Sequence, residues 1–312
     1  MIVTLTMNPA LDKTARLDRL IPHRLNRLPE VLWDIGGKGV NVSRTVAALG
    51  GKSIACGLAA GQTGAGILRA LDELEGVEQD FLTLARGETR TNLKIVEPDG
   101  GLTELNEAGP AATDRDLEQL TEKLMGHAGP GVLFVLAGSV GPGVPTDFYA
   151  GLIRRLHERG ARVFADADGA LLAQAIQAGP DIIKPNAFEL SQYFGLDHIA
   201  TDTELIQLGH TLVEQGIGAV CISMGSAGAC LVTGEGAWRA PALPVPVASS
   251  VGAGDAMVGA ISFALDEGRT MEDSFRLAVA ASSAAVTTPG TNPPAREMVD
   301  RLLPQVQLHR VE

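Results

Sequence analysis

The stretch Val132–Asp166 reads VLFVLAGSVGPGVPTDFYAGLIRRLHERGARVFAD. It opens with an apolar run, 132–137, and breaks at Gly138-Ser139. It then carries Leu152, Ile153 and Leu156 on one helical stripe and closes with a second apolar run, 162–166. Neither run alternates with polar residues, so each is expected to be a strand covered on both faces, as in a parallel sheet, with the helix as crossover. The pattern extends in both directions. Apolar runs at 2–7, 53–58, 181–183 and 219–223 are further expected strands. Val42, Val46 and Leu49, then Leu117, Leu120 and Leu124, mark helical stripes,. Thr113-x-x-Asp116 and Thr201-x-x-Glu204 have the form of capping boxes that open two helices,. Strand–helix alternation over most of the chain predicts an α/β layered fold with a mostly parallel central sheet.

Two stretches depart from this pattern. Residues 12–34 and 88–106 are more polar and alternate weakly, as in Thr91-Asn92-Leu93-Lys94-Ile95-Val96. Pro98-Asp99-Gly100-Gly101 then punctuates an expected hairpin,. They read as a small β excursion from the main layer, or else as long surface connections. No internal repeat, low-complexity tract or long linker is present.

With 312 residues, 45% of them apolar, the chain has enough material for a large buried core,. Its formal charge of −12, with no offsetting basic run, argues against a nucleic-acid or anionic-membrane partner,. A local cationic pocket for a small anionic substrate stays open. Cys56, Cys221 and Cys230 are odd in number, form no CxxC pair and are expected to be buried reduced thiols,. The first residues, Ile2–Met7, read as a strand rather than a signal peptide, and no apolar stretch reaches the ~18–20 residues that span a bilayer,. A cytoplasmic protein is expected. The six histidines show no metal-ligand spacing,.

In an open parallel sheet, ligands collect beyond the carboxyl ends of the strands, so the residues after each apolar run are informative. Run 132–137 ends in Gly138-Ser139 and run 162–166 in Asp166 and Asp168. Run 181–183 ends in Lys184-Pro185-Asn186, and run 219–223 in Ser223-Met224-Gly225. Together these ends suggest a cleft. Ser250-Val251-Gly252-Ala253-Gly254-Asp255 precedes a helical pattern with Met257, Val258, Ile261 and Leu265. Glycines flanking a small residue ahead of a helix let backbone N–H groups converge on an anion, and the helix N-terminus adds positive charge. Asp255 in the first turn can accept a proton from a hydroxyl held nearby. The alternative is a structural glycine loop with Asp255 as an acid favoured at a helix start. Gly36-Gly37-Lys38-Gly39-Val40-Asn41 leads into another helix, with Lys38 and Asn41 able to bond phosphate or hydroxyls. The chain contains neither a Walker A loop nor GxGxxG,.

The two glycine elements, with Lys184-Pro185-Asn186-x-x-Glu189 between them and Asn8-Pro9-Ala10-Leu11-Asp12 after the first strand, resemble the ribokinase-like carbohydrate kinases, the PfkB family. The resemblance covers essentially the whole chain. Gly37-Lys38-Gly39, Thr89-Arg90-Thr91-Asn92, Gly138-Ser139 and Val251–Met257 are similar to the phosphosugar branch: 1-phosphofructokinases, tagatose-6-phosphate kinases and minor 6-phosphofructokinases. One departure is Asp166-Ala167-Asp168, where relatives often carry Asp-Ser-Ser or Asp-Cys-Ser.

The resemblance implies a three-layer ribokinase-like fold in a single domain, residues 1–312, with a β-sheet lid built from about 12–35 and 88–106. It implies ATP and Mg2+ as cofactors and a homodimer through the lid. Asp255 would be the base, and the N–H groups of Gly252, Ala253 and Gly254 would stabilise the moving phosphoryl group. Asp12, Gly37, Lys38, Asn41, Arg90, Asn92 and Ser139 would hold the sugar phosphate. Lys184, Asn186, Glu189, Ser223, Gly225 and Gly228 would serve the nucleotide, with Asn186 and Glu189 also holding magnesium. A phosphorylated substrate needs fixed cations, which Arg90 and Lys38 supply, with Arg27 a further candidate,. Fructose 1-phosphate is the expected acceptor, and tagatose 6-phosphate or fructose 6-phosphate the alternatives. A kinase for an unphosphorylated sugar, nucleoside or vitamin, and a non-catalytic phosphosugar sensor, are the remaining readings.

Overall fold

The computed structural model describes residues 1–99 and 101–311; Gly100, within the expected hairpin turn, lies outside the described residues. In chain order the elements are β1 (Ile2–Thr6), β2 (Ala10–Arg16), β3 (Glu30–Gly36), α1 (Lys38–Ala48), β4 (Ser53–Ala60), α2 (Gly61–Asp72) and β5 (Val77–Leu84). Then come β6 (Arg90–Val96), β7 (Leu102–Asn106), α3 (Asp114–His127), β8 (Leu133–Ala137), α4 (Phe148–Glu158), β9 (Arg162–Asp166) and α5 (Gly169–Gln177). They continue through β10 (Ile182–Ile183), α6 (Ala187–Tyr193), α7 (Asp202–Glu214), β11 (Ala219–Ser223), β12 (Ala229–Thr233) and β13 (Gly236–Ala240). The chain ends with α8 (Ala253–Asp266), α9 (Met271–Ala285), α10 (Arg296–Leu302) and β14 (His309–Val311).

A ten-stranded sheet runs in the order β14-β13-β12-β11-β10-β9-β8-β1-β4-β5. From β11 to β5 every pairing is parallel, and β12–β14 add an antiparallel edge. Strand alternation sends Val3, Leu5, Phe134 and Leu136 into one core, against Leu120, Leu152 and Leu156. Ile2, Leu133 and Val135 face the other core, against Val42, Val46, Val258, Ile261 and Phe275. Both faces are therefore dry, which is why these strands read as continuous apolar runs. Each fully buried Leu or Phe contributes ~1.5–3 kcal/mol of transfer free energy. Both expected capping boxes form, at Thr113 with Asp116 and at Thr201 with Glu204.

The two polar stretches make a separate four-stranded sheet, β3-β2-β6-β7. It uses a parallel β2–β6 pair with antiparallel neighbours on either side. The excursion is thus real, although residues 17–29 within it form a connection rather than strand. Register sets its two faces. Asp12 lies opposite both Asp34 and Asn92, so these three share a face with Arg90 and Lys94,. The other face carries Leu11, Trp33, Leu93 and Leu105. Among the described residues, no helix is long and apolar enough to cross a membrane.

Candidate active site

The carboxyl ends of the parallel strands fall on one edge, and the expected polar groups gather there. α1 begins at this edge because Gly37, with φ of 113°, turns the chain into the helix. Gly39 lies so close to β1 that a Cβ there would sit 2.6 Å from the Leu5 carbonyl oxygen. That approach brings Lys38 and Asn41 over the sheet edge. Gly252, with φ of 84°, makes the corresponding turn into α8,. α8 then packs closely on α1, since a Cβ on Gly259 would lie 2.7 Å from the Thr45 Cβ.

Three charges meet under this turn. Asp166, at the end of β9, accepts from Lys38 Nζ at 3.3 Å, and Lys184 Nζ lies 3.4 Å from the same oxygen. Burial pushes the Asp166 carboxyl up, but Lys184 and Lys38 outweigh it and hold the carboxyl below the usual range,. Asp166 in turn holds Lys38 above the usual lysine range. Lys184 Nζ would stand 3.3 Å from a Cβ on Gly254, so a fixed ammonium faces the start of α8. One carboxylate is thus shared by two cations next to a helix N-terminus whose first N–H groups have no intrahelical partner. The arrangement favours a polyanion.

Asp255 is 8% exposed and accepts a hydrogen bond from Asn41 Nδ2 at 2.7 Å. Burial, and then the nearby Asp166 charge, push its carboxyl up to about 6 against the pull of Asn41, Lys38 and Lys184. A carboxylate tuned toward neutrality suits proton acceptance. Asp12, 6% exposed, is gripped by Lys94 Nζ at 2.8 Å and Asn92 Nδ2 at 3.0 Å. Arg90 begins β6 on the same face, and burial lowers its affinity for the proton while Asp12 opposes that shift.

Among the described residues, the buried side-chain polar atoms without a hydrogen-bond partner are Thr6 Oγ1, Asn8 Oδ1, Asn41 Oδ1, Arg90 Nε, Asn92 Oδ1, Asp166 Oδ2 and Thr291 Oγ1. They lie on the converging ends of β1, β6, β9 and α1 and on the loop against Gly252. Leaving such a group unpaired costs ~1–3 kcal/mol each, so their concentration here marks a ligand surface.

On the other side of Gly254 opens a cleft of about 690 Å³. Asn186, Ser223, Gly225 and Gly228 supply polar edges, and Leu243, Val245, Val247, Met257 and Val286 form apolar walls. Asn186 and Glu189 pair as a capping box at the start of α6: Asn186 N–H donates to Glu189 Oε2 at 2.8 Å, and Glu189 N–H donates to Asn186 Oδ1 at 2.8 Å. Asn186 also bridges to Ser223. Ser139 lies exposed just after β8, where Gly138 packs on the Lys38 stem. Asp168 is exposed at the start of α5 and makes no capping bond.

Arg27 is not brought to this edge. It is exposed and lines a different groove with Arg16, Asp18 and Glu97. That groove is at the β2 end marked by the Arg16–Val96 pair, six residues or ~20 Å from Ala10–Arg90,. Sequence reasoning missed Lys94 and the apolar walls of the cleft. Lys94 was legible as the third residue of the Arg90-x-Asn92-x-Lys94 alternation.

A family model described as pfkB family carbohydrate kinase matches residues 2–298. The chain is 38% identical to a 1-phosphofructokinase of Xanthomonas campestris, over 90% of this chain and 89% of that protein. It is 34% identical to a 1-phosphofructokinase of Bacillus subtilis over the full length of both. Phosphofructokinase-2 from Escherichia coli, solved in complex with potassium, superposes with a TM-score of 0.91 at 31% identity, covering 97% of this chain and 98% of that one. This chain belongs to the pfkB family of carbohydrate kinases and has their ribokinase-like fold.

Proposed function

We propose that the chain is an ATP-dependent 1-phosphofructokinase, converting fructose 1-phosphate to fructose 1,6-bisphosphate. The observation that carries the reading is Asp255. It is a buried carboxylate, raised to about 6, in the first turn of a helix whose N-terminus faces the Lys184 ammonium, and it accepts a hydrogen bond from Asn41 of α1. Relatives named 1-phosphofructokinase at 34–38% identity over nearly the whole chain support fructose 1-phosphate as the acceptor. The phosphofructokinase-2 neighbour makes fructose 6-phosphate the second acceptor to test.

In this mechanism the small sheet is a lid. Its inner face binds the phosphosugar through Arg90, Asn92, Asp12 and Lys38, with Gly37 and Ser139 at the margin. Asn41 orients Asp255, which takes the proton of the attacking hydroxyl as that oxygen bonds to the γ-phosphorus and the bond to ADP breaks. The N–H groups of Gly252, Ala253 and Gly254, with Lys184, hold the transferring group. The nucleotide occupies the cleft along Ser223, Gly225 and Gly228. Magnesium, when bound, neutralises phosphate charge. Glu189 with Asn186 fits it as a hard-oxygen pair beside phosphates; Asn186 Oδ1 and Glu189 Oε2 both serve the helix cap, so the second, charged oxygen of Glu189 is the stronger donor,. The outer face of the small sheet exposes Trp33 at 54% and Leu105 at 56%, a surface suited to a second copy of this chain,. Three buried free thiols favour a reducing compartment, the cytoplasm,.

The test measures ADP release with fructose 1-phosphate, fructose 6-phosphate, tagatose 6-phosphate and unphosphorylated sugars. Preference for fructose 1-phosphate supports the reading, whereas ADP release with none of them removes the kinase assignment. The pH profile provides a second check. The base must be ionised, so kcat/KM for the sugar falls as pH drops through about 6. Asn41→Ala removes a hydrogen bond that favours the ionised form and moves this limb upward. An acid limb that stays in place in Asn41→Ala argues against Asp255 as the titrating group.

A further inference from the structure

Arg44 lies on α1 one turn beyond Asn41, so Lys38, Asn41 and Arg44 share a helix face,. The phosphoryl-transfer steps assign it no role. Its side chain is 10% exposed, and its guanidinium joins segments far apart in sequence. Nη1 donates to the Ile35 carbonyl at 2.9 Å, at the end of β3 in the small sheet, and to the Thr291 carbonyl at 3.3 Å. Nη2 donates to Asn292 Oδ1 at 3.0 Å and lies 4.0 Å from Asp34 Oδ1. The 288–292 loop is itself tied together, since Thr288 Oγ1 donates to the Asn292 carbonyl and Asn292 Nδ2 to the Pro289 carbonyl.

This loop touches both halves of the site. Thr291 Cα would lie 3.6 Å from a Cβ on Gly252, against the turn that starts α8. Gly290 approaches Asp34 so closely that a Cβ would sit 2.9 Å from Oδ2. Asp34 is opposite Asp12 in the sheet register. A planar guanidinium with several donors in fixed directions can hold these acceptors at once, which an ammonium cannot.

We propose that Arg44 is a positioning residue that couples phosphosugar binding on the small sheet to the Gly252 turn at the nucleotide. Movement of β3 on closing over a sugar phosphate is transmitted through Ile35 and Asp34 to Arg44, and from Arg44 to the 288–292 loop and the turn. The proposal rests on the kinase reading and deepens it.

The test is a binding cycle by titration calorimetry. The affinity for magnesium β,γ-imido-ATP is measured with and without fructose 1-phosphate, in the wild type, Arg44→Lys and Asn292→Ala. The wild type is expected to bind the analogue at least ~5-fold more tightly when the sugar is present, within the usual range of coupling between sites. Arg44→Lys keeps the charge but loses the fork, and its coupling factor falls toward one while each separate affinity stays within about threefold. Asn292→Ala, which leaves Arg44 on Ile35, lowers the coupling in the same direction and serves if Arg44→Lys does not fold. No coupling in the wild type, full coupling in both variants, or equal loss of both separate affinities overturns the proposal. ADP release by the same wild-type preparation separates the failures: without it the kinase reading falls, and with it only the role of Arg44 does.

Discussion

Asp255→Asn lowers kcat by ~10²–10⁴-fold while the affinities for ATP and phosphosugar stay within a few-fold of wild type. The substitution keeps the shape of the side chain and its place beside Asn41, but removes the proton acceptor. The anion-binding features, namely the α8 N-terminus, Lys38 and Lys184, are untouched. Near-normal turnover would mean that the proton leaves to another group or directly to the phosphate. The same variant reports on stability. Burial and the Asp166 charge push the Asp255 carboxyl from 3.8 up to about 6, so its ionised form is harder to make in the folded protein than in the unfolded chain. The gap between these two values corresponds to an upper bound of about 3 kcal/mol. Because the folded-state value is raised, the penalty is present at neutral pH and disappears as pH falls below about 4, where both states are protonated. Asp255→Asn is therefore expected to melt higher than wild type at pH 7, with the margin closing under acid. A residue whose removal stabilises the fold and abolishes turnover is held for chemistry rather than for architecture.

Much of this was legible in the sequence because parallel strands covered on both faces leave a plain record. The runs at 2–7, 132–137, 162–166 and 219–223 end within one residue of their strands, and the polar residues after them do line one edge. The antiparallel edge was not legible. β13 and β14 read GAWRA and HRV, without an apolar run or sustained alternation, and the apolar run of β12, ACLVT, follows β11 with no helix between to set it apart,. The run at 181–183 yields only Ile182–Ile183 as strand, because Pro185 lacks the N–H to continue the ladder,. At the site, residue types showed which groups could act but not how they were partnered. Asp166 stood out only as a polar residue closing a strand, yet it is the shared counterion of Lys38 and Lys184, which lie 146 positions apart in sequence. Asp12 is among the residues expected to hold the sugar phosphate. Its two oxygens already accept from Asn92 and Lys94, so any hydroxyl bond uses their remaining lone pairs,. Pairings of this kind depend on long-range register, which no local window contains.

Arg90→Ala raises KM for the phosphosugar by ~10–100-fold and leaves KM for ATP nearly unchanged, which separates the two halves of the site. Arg90 starts β6 opposite Ala10, on the face that carries Asn92, Lys94 and Asp12, and away from the apolar cleft. Its Nε is buried without a partner, and its nearest competing influence is Asp12, already bonded to Lys94 and Asn92. Nε is therefore desolvated but not paired, a state that a dianionic phosphate would relieve. A hydrogen bond to a charged group contributes ~1.5–3 kcal/mol, which sets the size of the expected effect. Lys38 compensates only in part, because Asp166 already engages it. Arg90→Lys should recover only part of the loss, since a point charge cannot reproduce two parallel N–H bonds to phosphate oxygens. The measurement is a pair of saturation curves, one in sugar and one in ATP, for each variant. Equal increases in both Michaelis constants would take Arg90 out of the sugar subsite. An effect on fructose 1-phosphate that vanished with unphosphorylated fructose would identify the phosphate as the group that Arg90 reads.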